Sequence, residues 1–260
     1  MGSLEGSTEL PLDITSLHSL YASGSLTPTT LINHLYDRIE SYPDKAVWIH
    51  LIPRSEALAA ASTLTTKYVN PATTPLPPLY GIPFSVKDSL DIASIPTTLA
   101  CPSFAYTPTQ TAPAVLKALA AGALLIGKTN LDQFATGLVG HRSPYGTPRC
   151  VLDSEYISGG SSSGSAVSIA GGLVSFAIAT DTAGSTRVPA ALNGLVGVKP
   201  TLGTVSTVGL VPACKTADCV TVLARRVGDA RAALRVIRGF DEGDVFARRG
   251  GLPTNPAFGD

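Results

Sequence analysis

Two hydroxyl-rich segments and one lysine are the parts of this sequence best suited to chemistry. The first segment is SGGSSSGS, residues 158–165, followed at once by AVSIAGG. Gly and Ser opening a helix present hydroxyls beside free backbone N–H groups, the makings of an anion or oxyanion site. A flexible linker has the same composition, but linkers are not normally followed by an apolar strand within a domain. A phosphate loop of the GxxxxGK[ST] type would need a lysine after the glycines, and this run has none.

Gly160-Ser161-Ser162-Ser163-Gly164 also matches G-x-S-x-G, the nucleophile elbow that needs its acid and histidine downstream of the serine. All four histidines, His18, His34, His50 and His141, precede the run, which excludes a Ser-His-Asp triad of that order within the chain. Cys-His catalysis fares little better, because His141 and Cys150 lie in a loop without a supporting motif. A serine without histidine needs another base, and a lysine serves when burial keeps it neutral. Lys87 ends the apolar strand of GIPFSVKDS (81–89), which puts its amine at a buried strand end. A surface lysine at a strand terminus is the ordinary alternative. Lys128, in IGKTN, invites the same reasoning, but nothing else singles it out.

The second segment is TDTAGSTRVPA, residues 180–190. A strand ending in Thr180 runs into Asp181, then a turn of Thr182, Ala183 and Gly184, then Ser185 at a helix start. Such a turn offers the Ser185 hydroxyl together with successive backbone N–H groups, as an oxyanion hole requires. A plain serine N-cap is the alternative. Arg187 is expected to pair with Asp181 and hold the turn.

These segments need elements to position them. Short strands over 81–86, 123–126, 174–180 and 195–198 alternate with helices over 114–121, 163–170 and 189–192. That alternation predicts an α/β domain with a mixed, mostly parallel sheet covered by helices on both faces. Upstream, the apolar spacing predicts a helix over 13–21 capped by Asp13. A second helix starts at Thr27-Pro28 and carries Leu31, Ile32, Leu35, Tyr36 and Ile39 on one face. A strand over 47–52, an Ala-rich helix over 54–68 and a proline-rich connection over 71–78 follow. Residues 1–11 are expected to be disordered and 246–260 a loose tail, leaving 12–245 as the folded portion.

With 44% apolar and 15% charged residues, the 260-residue chain reads as well buried. Its 19 basic and 19 acidic residues balance, which gives no electrostatic argument for nucleic acid or an anionic membrane. Cys101, Cys150, Cys214 and Cys219 lack zinc-ligand spacing, so no metal is expected and the thiols read as reduced. No signal peptide or membrane span is visible, and a cytoplasmic location is the expectation.

GIPFSVKDS, GGSSSGS and DTAGSTRVPAALNGLVGVKPT, in that order, resemble the three hallmark segments of the amidase-signature family. The separation of 24 residues between Ser161 and Ser185 is also the family's, and the resemblance covers residues 12–240. Within the family, FATGLVGHRSPYGTPR and STVGLVPACKTADCV resemble allophanate hydrolases, including those fused to a urea carboxylase. The resemblance implies Ser185 as nucleophile, Ser161 as bridging serine and Lys87 as base. It implies an oxyanion hole from the N–H groups of Thr182, Ala183, Gly184 and Ser185, with Ser162 supporting Ser161 and Lys87 by hydrogen bonding. The implied reaction releases ammonia from a small-molecule amide, allophanate first, without a cofactor. The other readings are a catalytically silent fragment and a glutamine-dependent amidase of the amidotransferase type. The family's domain also continues further, so the sheet is expected to be incomplete on its C-terminal side. Its edge would suit a second copy or a partner chain.

Overall fold

The computed structural model describes residues 10–68 and 75–249. The expected loose segments at 1–9 and 250–260, and residues 71–74 of the proline-rich connection, lie outside them. Residues 246–248 of the expected tail are tied down: the Arg248 N–H donates to the Gly203 carbonyl at 2.9 Å.

The N-terminal helices follow their caps. In α1 (Ile14–Ala22) the Asp13 carboxylate accepts from the Ser16 N–H. In α2 (Pro28–Ser41) the Thr27 hydroxyl accepts from the Thr30 N–H, and Leu31, Ile32, Leu35, Tyr36 and Ile39 are buried along one face. The chain continues through β1 (Trp48–Leu51), α3 (Arg54–Lys67), β2 (Pro83–Lys87), α4 (Pro113–Ala120) and β3 (Leu124–Thr129). Next come α5 (Ser163–Ala170), β4 (Phe176–Thr180), α6 (Arg187–Leu192) and β5 (Val196–Val198). The last two elements, β6 (Val220–Ala224) and α7 (Val227–Ile237), have no counterpart among the elements expected from sequence.

The α/β class and the mixed sheet are as expected. The six strands lie in the order β1-β3-β2-β4-β6-β5. Parallel pairing is confined to the centre, where β2 lies between β3 and β4. The outer pairings, β1 with β3 and β6 with both β4 and β5, are antiparallel, so the sheet is less parallel than alternation suggested. The reason is β6. The step β4–α6–β5 leaves a one-strand gap, and β6 returns antiparallel to fill it.

Every residue of β2, β4 and β6 is buried, so both faces of the sheet's centre are covered. Strand alternation puts Phe84 and Val86 on one face of β2, with Ser85 and Lys87 on the other. Phe84 stacks on Phe176 at 5.2 Å between ring centroids. Such a pair contributes about 0.5–1.5 kcal/mol beyond its buried area. The Ser85 face meets α5 through a layer of small hydroxyls. Ser85 Oγ bonds Ser168 Oγ at 3.1 Å, and Thr129 Oγ1 bonds Ser165 Oγ at 2.6 Å. No helix among the described residues is long and apolar enough to cross a membrane.

Candidate active site

Three segments meet where β2 and β4 end and α5 begins. Lys87, the last residue of β2, is fully buried, and its Nζ donates to Ser161 Oγ at 2.7 Å and to Thr180 Oγ1 at 3.0 Å. Burial pushes its amine down to about 7, although the carboxylates of Asp132, Asp181 and Asp218 pull it upward from a distance. Lys128 is also fully buried, but its Nζ sits 2.7 Å from Asp88 and donates to Thr97 Oγ1 and the Pro96 carbonyl. Burial lowers that amine too, with Asp88 acting against the shift. Geometry separates the two lysines: one faces hydroxyls, the other a carboxylate.

Ser161 precedes α5 in a segment held by Asp132. The Asp132 N–H donates to the Ser161 carbonyl at 3.0 Å, and its carboxylate accepts from the N–H groups of Gly140 and Arg142. The Gly160–Ser161 peptide is cis. Gly160 has no room for a side chain, since a Cβ there would run into Asp132 Oδ2 and come within 2.7 Å of the Gly140 nitrogen. Ser162 does not bond Ser161 or Lys87 as expected. Its hydroxyl donates to the Thr180 carbonyl at 3.3 Å, and its N–H donates to the Ser185 carbonyl at 3.0 Å. The expected support therefore runs through the backbone: Ser162 holds the two serine segments side by side.

Ser185 is not a helix cap. The helix α6 starts at Arg187 after Thr186, and the Ser185 hydroxyl makes no hydrogen bond among the described residues. The structure thus brings Lys87 and Ser161 into direct contact, while Ser185 is tied to the neighbouring Ser162, whose N–H its carbonyl accepts.

Asp181 organises the turn before Ser185. Burial favours its neutral form, but bonds from Arg187 and from the N–H groups of Thr186, Gly184 and Arg187 outweigh that. They hold the carboxyl well below the usual range. Arg187 contributes two bonds, each 2.9 Å long, as a planar fork does. This arrangement corrects one expectation. The Gly184 N–H donates to Asp181 Oδ1 at 2.8 Å, so it is already used and is not free for an oxyanion. The N–H groups of Thr182, Ala183 and Ser185 have no acceptor among the described residues.

Sequence reading missed Thr180, Asp132, Asp218 and Lys199. Thr180 gives Lys87 its second hydroxyl partner, and the Thr182 hydroxyl donates to the Asp218 carboxylate. Lys199 Nζ donates to the Thr182 carbonyl at 2.7 Å. Lys199 did lie within a hallmark segment, in GVKPT, but carried no chemical signal of its own.

The chain belongs to the amidase family, whose model matches residues 30–249. It is 48% identical over 216 residues to the urea amidolyase of Saccharomyces cerevisiae, covering 83% of this chain and 12% of that protein. The allophanate hydrolase structure from Kluyveromyces lactis superposes with a TM-score of 0.83 at 44% identity, covering 93% of this chain and 39% of that one. A glutamyl-tRNA(Gln) amidotransferase component from Chlorobium luteolum is 35% identical, across 93% of this chain and 49% of that protein. The chain therefore spans less than half the length of these relatives.

Proposed function

We propose that this chain carries the Lys-Ser-Ser machinery of an amide hydrolase that releases ammonia from a small amide, with allophanate as the substrate. The observation behind this reading is the contact between Lys87 and Ser161: a buried amine, pushed down to about 7, pointing at a hydroxyl. A neutral Lys87 takes the Ser161 proton as Ser161 takes that of Ser185, and Ser185 Oγ attacks the amide carbonyl. The N–H groups of Thr182, Ala183 and Ser185, without an acceptor among the described residues, stabilise the oxyanion. The relay then returns a proton to the leaving nitrogen, ammonia departs, and water hydrolyses the acyl-enzyme by the same route. With allophanate, the other product is an unstable nitrogen-bridged dicarboxylate that decays to carbon dioxide and a second ammonia.

Identity supports this substrate over glutamine, because it falls from 48% with the urea amidolyase to 35% with the amidotransferase component. The test is ammonia release from allophanate, malonamide and glutamine by the purified chain and its Ser185→Ala variant. Release that needs Ser185 and favours allophanate supports the reading. Release that favours glutamine moves the chain to the amidotransferase class, and no release from any substrate leaves it a silent fragment.

A further inference from the structure

Lys199 follows β5 and precedes Pro200, whose ring restricts the preceding residue to extended backbone. The strand end is anchored, because Cys219 Sγ donates to the Pro200 carbonyl at 3.2 Å. From there the Lys199 ammonium reaches three acceptors on the turn before Ser185 and its support. They are the Thr182 carbonyl at 2.7 Å, the Ala217 carbonyl at 3.4 Å and Asp181 Oδ1 at 3.5 Å. The shortest contact is to the peptide oxygen, and Asp181 already has two bonds from Arg187.

A trans peptide points its C=O and N–H in opposite directions. The Thr182–Ala183 peptide is trans, so the Ala183 N–H points away from Lys199. That N–H has no acceptor among the described residues. An ammonium on the carbonyl end also polarises the peptide and strengthens the N–H as a donor. We propose that Lys199 is a positioning residue for the oxyanion hole, clamping the Thr182 carbonyl so that the Ala183 N–H faces the reacting carbonyl. The Asp218 bond to the Thr182 hydroxyl holds the same residue from its side chain. This inference rests on the proposed reaction only for its kinetic consequence; the clamp itself is a matter of peptide orientation.

The test is Lys199→Met. Losing one oxyanion donor lowers kcat by about 10²–10³-fold, so a donor that is merely unclamped should lower kcat by about 10–100-fold with KM within about twofold. Affinity for a boronic acid that mimics the tetrahedral intermediate should fall in step with kcat. In a crystal structure of the variant, the Thr182–Ala183 peptide should be rotated from its parental orientation. Unchanged kcat and boronate affinity, or a peptide that keeps its orientation, would overturn the proposal. If the parent releases no ammonia, the proposed function falls, and the clamp is still decided by the peptide's orientation. Should Lys199→Met not fold, Lys199→Arg carries the same readouts, since it keeps the charge without the single ammonium shared by three acceptors.

Discussion

Lys87 Nζ lies 2.7 Å from Ser161 Oγ, and no carboxylate among the described residues pairs with it. Lys128, buried to the same extent, is spent on Asp88 at 2.7 Å. Two amines of one chemistry thus meet different partners, one facing the hydroxyls of Ser161 and Thr180 and one locked in an ion pair.

Substitution should separate them. Lys87→Ala is expected to cut turnover by about 10²–10⁴-fold, the range for loss of a general base. Lys128→Ala instead strands a buried Asp88 and is expected to cost about 3–5 kcal/mol of stability. Denaturant melts and ammonia assays on both variants check this. Equal loss of turnover per folded molecule would remove Lys87 from its assigned role.

The depressed Lys87 amine also fixes the direction of two pH dependences. Between about 7 and its ordinary value of 10.5, the unfolded amine holds a proton that the folded one has lost. The unfolded state binds more protons there, so stability contributed by this group rises with pH across that window. Turnover should rise in the same direction, with an acid limb centred near 7 as the base becomes neutral. Denaturation of the parent and of Lys87→Met at pH values between about 7 and 10.5 reads the first effect, and the variant should lose that part of the slope. A pH–rate profile reads the second; a rate that falls through neutrality contradicts a neutral lysine base.

The Ser185 hydroxyl has no hydrogen-bond partner among the described residues, whereas the Ser161 hydroxyl is held by Lys87. A phosphonate probe should therefore label Ser185, and Ser185→Ala should abolish the adduct seen by mass spectrometry. An adduct that persists on Ser161 would exchange the roles of the two serines.

Gly184 has φ +134, a conformation nearly closed to residues with a side chain, and a Cβ there would sit 3.2 Å from Val188 Cγ2. Gly184→Ala is expected to cost about 1–3 kcal/mol through backbone strain. The strain falls on the segment that carries the free N–H groups, so kcat should drop more than KM rises. Steady-state kinetics beside a thermal melt check this, and a variant with unchanged kcat would show that the turn tolerates the shift.

Much of this was legible in residues 81–198. Strand ends at Lys87 and Thr180, the Gly/Ser entry to α5 and the Asp181–Arg187 pair each have a local signature. The caps at Asp13 and Thr27 were equally readable, because one side chain and the helix start beside it determine them. What escaped depends on distant parts of the chain. The apolar run of β6 was short, and only its antiparallel return between β4 and β5 gives it a place. Thr180, Asp132 and Lys199 look ordinary in sequence, since their partners lie 93, 29 and 17 positions away, at Lys87, Ser161 and Thr182. The Gly184 N–H was misassigned for a local reason: the turn curls back so that Asp181, three residues earlier, takes that N–H.

The hydroxyl layer under α5 has a mechanical consequence. Greasy side chains would let a helix slip along a sheet at little cost, because one methyl contact resembles the next. Here Ser165 and Ser168 each meet a particular hydroxyl on Thr129 and Ser85, and a shift by one turn would strand those groups in the interior. The helix therefore has one seat, like a key with cut teeth. Ser161, two residues ahead of it, takes its place when the chain folds and need not wait for a substrate to arrive.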